Sequence, residues 1–145
     1  MALNDKKIPP NLDLNPVLAA EIGGLKEPDG TVPCAAAIHL AEVKRVKPPE
    51  VGRTLDALSV HIGRCQIGTF GYPGHAKGWS SLDAADGTVS PALQEALLEA
   101  GGTARRISCL AIWEIAARFK VSRMIAGYAA DQAGLKIVDC QLGAF

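Results

Sequence analysis

This sequence has no surplus of charge. Fifteen Lys and Arg stand against fifteen Asp and Glu in 145 residues, and the isoelectric point is near 6.8. That balance argues against a strongly basic nucleic-acid module or an acidic tail. No apolar run reaches the ~18 residues that suggest a membrane-crossing helix. The opening MALNDKKIPPNLDLNP has no apolar core of a secretory signal. The expected compartment is the cytoplasm, where thiols stay reduced. Aromatics are few, at 5%. No C-x2-C pair is present, so the zinc signal is weak. The loop GYPGHAKGW has glycines and a lysine but not the order of a P-loop. No histidine and carboxylate recur together that would make a catalytic constellation. The expectation is a protein that is not an enzyme and needs no cofactor.

What the sequence does have is a duplication. Cys65-Gln66-Ile67-Gly68-Thr69-Phe70 returns as Cys140-Gln141-Leu142-Gly143-Ala144-Phe145, at an offset of 75. The offset runs without a gap from Asn15 over Ser90, and 13 of the 56 paired positions are identical. They include Pro16/Pro91, Leu18/Leu93, Cys34/Cys109, Ala41/Ala116, Val46/Val121, Gly52/Gly127, Asp56/Asp131 and Ile62/Ile137. The expected organisation is an arm over 1–14, repeat 1 over 15–70, a linker or wing loop over 71–89, and repeat 2 over 90–145. A unit of this size buries too little surface to be comfortable alone. The two copies are therefore expected to pack as a pseudo-dimer.

Each repeat reads as helix, short extended piece, helix, three-residue turn, helix, strand. Asn15-Pro16 and Ser90-Pro91 are matching helix starts, a capping residue followed by proline where a missing N–H costs nothing. In the second helix the apolar face is Cys34, Ala37 and Ala41 with Ile38 and Leu40, matched by Cys109, Ile112, Ala116 and Phe119 with Ile115. Third helices begin at Pro48 and after Ser122, and Gly134 is a C-cap glycine. Their buried side is read as Val51, Leu55 and Leu58, or Ala126, Ala130 and Ala133. HIGRCQIGTF and KIVDCQLGAF read as closing strands, each weakened by a glycine.

The order of elements resembles a winged helix-turn-helix. The resemblance is carried by Leu40-Ala41-x4-Val46-Lys47-x3-Val51 and by Ile115-Ala116-x4-Val121-Ser122-x3-Ala126. Arg45 and Lys120 stand where the family has its turn glycine. The CQ[IL]G[TA]F ending also resembles small prokaryotic proteins without an assigned activity. The fold class implied is mainly α with short β-strands (α+β). In DNA-binding members the third helix enters the major groove. The outward residues here are Glu50, Arg53, Thr54 and Ala57, and Arg123, Ile125, Tyr128, Ala129 and Gln132. Arg53, Arg123 and Gln132 suit base edges. Lys44, Arg45, Lys47, Lys120, Ser122 and Arg123 suit the backbone near the turns, with Arg105 and Arg106 beyond them. The resemblance implies DNA as partner and a transcriptional regulator as function. The alternative is a protein-interaction or self-associating module on the same scaffold, which Ile125 and Tyr128 favour.

The cysteines form two equivalent pairs, Cys34 with Cys65 and Cys109 with Cys140. Three readings stay open: buried apolar residues, a redox pair in each copy, or a metal site with His39 or His61.

Overall fold

The computed structural model describes residues 15–81 and 89–145. The arm expected over 1–14 and residues 82–88 of the linker lie outside them. Among the described residues the chain is mixed α/β, with six α-helices and two sheets of two strands each. Contacts divide the described chain into two compact units. One holds residues 15–65 together with Gln141–Phe145, and the other is Gln66–Cys140. The repeats seen in the sequence and the units seen in space therefore differ at their ends, because each unit takes its closing segment from the other repeat.

In the first unit, helix α1 (Pro16–Gly23) opens with Pro16 and is capped by Asn15, whose Oδ1 accepts from the N–H groups of Val17 and Leu18. Leu18 and Ile22, four apart, form its buried stripe. Strand β1 (Val32–Pro33) leads into α2 (Cys34–Lys44), which buries all five apolar residues expected of it. After a three-residue turn comes α3 (Pro48–Ala57), then β2 (Ile62–Gly63). Strands β1 and β2 pair in parallel, Val32 with Ile62 and Pro33 with Gly63. Leu18, Ile22, Val51 and Leu55 are at most 1% exposed and anchor the core. Each contributes about 1.5–3 kcal/mol of burial.

The second unit repeats this plan. Helix α4 (Pro91–Gly101) is capped by Ser90, α5 (Cys109–Phe119) by Ser108 and α6 (Arg123–Gln132) by Ser122. Strand β3 (Arg106–Ser108) pairs in parallel with β4 (Lys136–Val138), Ile107 opposite Ile137. The α5 face carries Cys109, Ile112, Ile115 and Ala116 into the core, but Phe119 is only half-buried, with the Arg118 guanidinium 5.4 Å from its ring centroid.

The offset of 75 extends to backbone conformation. Left-handed residues pair as Gly30/Arg105, Arg45/Lys120, Ser59/Gly134, Arg64/Asp139 and Gly68/Gly143. The C-terminus of α2 closes with Val46 N–H donating to Ala41 O at 3.0 Å, and α5 closes with Val121 N–H to Ala116 O at the same distance. These are Schellman closures, with Arg45 and Lys120 as the left-handed residues.

Two sequence expectations fail. The closing segments are strands only over β2 and β4, because left-handed Arg64 and Asp139 break the extended run. A left-handed L-residue reverses the chain direction a strand needs. The buried face of the third helix is also differently placed. Thr54 is 2% exposed and Ala129 0%, where both were expected outward, and Leu58 and Ala133 are only half-buried.

Candidate nucleic-acid interface

The turn between α2 and α3 is Arg45-Val46-Lys47, and between α5 and α6 it is Lys120-Val121-Ser122. Val46 and Val121 are half-buried, while Arg45, Lys47, Lys120 and Ser122 are exposed. Lys47 is the N-cap of α3 and makes no side-chain cap bond. Ser122 caps α6 by accepting from Ile125 N–H at 3.1 Å. Arg53 is exposed on α3.

Other charges of the first unit are engaged. Lys44 lies 3.2 Å from Glu21, and Asn15 Nδ2 donates to Glu50 Oε1 at 3.1 Å. The second contact ties the N-cap of α1 to the first turn of α3. Thr54 is not part of the accessible face. Its hydroxyl donates to Glu50 O at 3.0 Å, a helix-internal bond.

The third helix of each unit is met by the unit's other helices and by a closing segment. Val51 and Leu55, or Ala126 and Ala130, face the unit's own helices. Beside them Gly52 is met by Leu142 and Gly127 by Ile67, each from the other repeat's closing segment. Sequence periodicity of one helix cannot register a cover that arrives from 60 or 90 residues away. The signal that was present is the glycine shared by positions 52 and 127.

On α6 two side chains, exposed Arg123 and half-buried Tyr128, make further contacts. The Arg123 guanidinium lies 3.5 Å from the Trp113 ring centroid, and its Nη1 donates to Gln66 Oε1 at 2.7 Å. Trp113 Nε1 is buried without a hydrogen-bond partner. Tyr128 meets Trp79 edge-on at 6.0 Å between centroids. Trp79 lies on a short 3-10 turn, Gly78–Ser81, held by Gly78 N–H donating to Gly68 O at 2.7 Å. The base-reading candidates Arg53, Arg123 and Gln132 are all exposed, and Arg123 also contacts Trp113 and Gln66. The wing expected from the first half of the linker is a tight turn, with one antiparallel bridge between Tyr72 and His75.

Cys34, Cys65, Cys109 and Cys140 are thiols rather than disulfides, the first three buried and the last half-buried. Among the described residues no three His, Cys, Asp or Glu side chains gather to hold a metal ion. Among them no helix is long and apolar enough to cross a membrane.

Comparison of the chain with protein-family models, curated proteins and solved structures found no match.

Proposed function

We propose that this chain binds duplex DNA through its first unit and acts as a transcriptional regulator. The supporting observation is the α2–α3 turn. Two helices are joined by three residues with a left-handed residue at the corner, and Arg45, Lys47 and Arg53 stand exposed around it. In a helix-turn-helix this turn delivers the second helix to the major groove while flanking cations meet phosphates. The second unit carries Lys120 and Gln132 for the same use on a face that Trp79 and Gln66 narrow. A neutral chain implies modest, salt-sensitive affinity that rests on these few cations.

The test is fluorescence anisotropy of a mixed-sequence duplex at low salt, repeated as salt rises. Binding should weaken log-linearly with salt, and K47A with R53A should lower the slope by about two. K26A, in the exposed loop after α1, should change neither. Absence of binding at micromolar protein in low salt would overturn the proposal.

A groove of about 580 Å³ between α4 and α5 favours a second reading, a protein-interaction module. Ala96, Ala100, Ala111 and Ile115 line it, with Glu99, Glu114 and Arg118. Repeat 1 has Leu25 and Val43 at the positions of Ala100 and Arg118. Pull-down of a protein partner that A100W abolishes would favour this reading.

A further inference from the structure

We propose that Arg105, Arg106 and Lys136 form a second cationic edge, in the second unit, that binds the phosphate backbone of duplex DNA. The identity of the polyanion rests on the DNA reading above. Parallel pairing of β3 with β4 sets Arg106 directly opposite Lys136. Neighbouring strands lie about 4.8 Å apart, and residues in register share a face of the sheet. Arg105, the preceding residue, has its Nη1 3.8 Å from where a Cβ on Gly134 would stand, and its carbonyl accepts from Lys136 N–H at 2.9 Å. The fold thus gathers at one end of this sheet cations that are 30 residues apart in the chain. All three are exposed. Among the described residues none makes an ion pair with them.

The same positions of repeat 1 hold Gly30, Thr31 and His61. The cations of repeat 2 carry local costs that those residues avoid. Arg105 is left-handed, with φ of 53°, where repeat 1 places Gly30 at 84°. That conformation favours glycine and penalises a side chain. Like charges directly opposite on paired strands repel, and Arg106 faces Lys136 where repeat 1 has Thr31 beside His61. One copy of a duplicated unit keeps these costs and the other does not, as expected where the charge itself is used. An anion between Arg106 and Lys136 replaces one repulsion by two attractions. A phosphate also accepts paired hydrogen bonds from the guanidinium fork. Three cations at this edge exceed what one phosphate engages, and the successive phosphates of a duplex supply the rest.

The test gives the full-length chain the residues of repeat 1, as R105G/R106T/K136H, and follows duplex binding by fluorescence anisotropy as salt rises. The slope of log K against log salt should fall by about 2–3, at about 0.9 per phosphate contact. R106T alone should lose about one contact. K26A changes net charge equally and should lose none, and R106K should keep the slope. The urea midpoint of the triple variant should rise, since the left-handed arginine and the opposed charges are gone. A lower midpoint would show that the cations serve the fold, and would refute the proposal. So would a folded triple variant with an unchanged slope, which leaves DNA binding by the first unit standing. A slope that responds to the triple variant but not to K47A with R53A would support this edge and remove the first unit instead. No binding by the unaltered chain at low salt would sink both. If the triple variant fails to fold, R106T and K136H singly decide the matter by the same slope.

Discussion

The carbonyl oxygen of Leu142 lies where a side chain on Gly52 would begin, 1.7 Å from the position of a Cβ. The two residues come from different repeats, and Gly127 and Ile67 mirror them. The duplicated glycine thus marks the place where each third helix receives the other repeat's closing segment.

Replacing Gly52 or Gly127 with alanine should therefore destabilise the protein by about 1–3 kcal/mol, because backbone atoms must move. Gly23, at the end of α1, has nothing within 4 Å of where an added methyl would stand. G23A should be neutral or slightly stabilising. Urea melts of the three variants would separate the effects, and equal midpoints would refute the close approach.

Ser59 and Gly134 are equivalent left-handed residues after α3 and α6, with φ of 56° and 76°. Both helices close in the same way, through Val60 N–H to Leu55 O at 2.9 Å and Leu135 N–H to Ala130 O at 3.1 Å. Repeat 2 already has the residue this conformation favours. S59G should raise stability by about 1 kcal/mol, seen as a rise of roughly 2–4 °C in Tm.

Arg45 and Lys120 hold the same conformation at the turns, with φ of 55° and 56°. Here glycine separates stability from function. R45G should stabilise the fold by up to about 1 kcal/mol while weakening duplex binding and flattening its salt dependence by about one contact. A variant that is more stable and binds DNA unchanged would remove Arg45 from the interface.

Asp29 is fully exposed, yet its carboxyl is held below the ordinary aspartate value. The Thr31 backbone N–H donates to it at 2.9 Å, and the Thr31 hydroxyl at 2.7 Å adds to the effect. A depressed folded pKa contributes stability that is present above the unfolded pKa and is lost as pH falls through the folded one. T31V should move the carboxyl part of the way back up, since the backbone donor remains. Carboxyl NMR titration of both proteins reads this directly.

Cys34, Cys65 and Cys109 are 5–7% exposed, and Cys140 is half-buried. A disulfide reagent under native conditions should label Cys140 first, and the other three should follow at the rate of opening. Equal rapid labelling of all four would contradict the burial.

The sequence by itself determined the local structure. Caps at Asn15, Ser90, Ser108 and Ser122 and prolines at Pro16, Pro48 and Pro91 set the helix starts, because these signals act within one turn of backbone. The face of α2 was equally legible, since all its partners lie in the same repeat. Strand length was overestimated at Arg64 and Asp139, whose left-handed turns have no composition signal that glycine would have given. The faces of α3 and α6 were misread for a different reason. Thr54 and Ala129 are buried although both were expected outward, and on the same helices Gly52 and Gly127 are met by segments that arrive from the other repeat. Only tertiary structure decides which surface such a segment covers, because periodicity records that a residue is apolar or small and not which part of the chain comes to meet it.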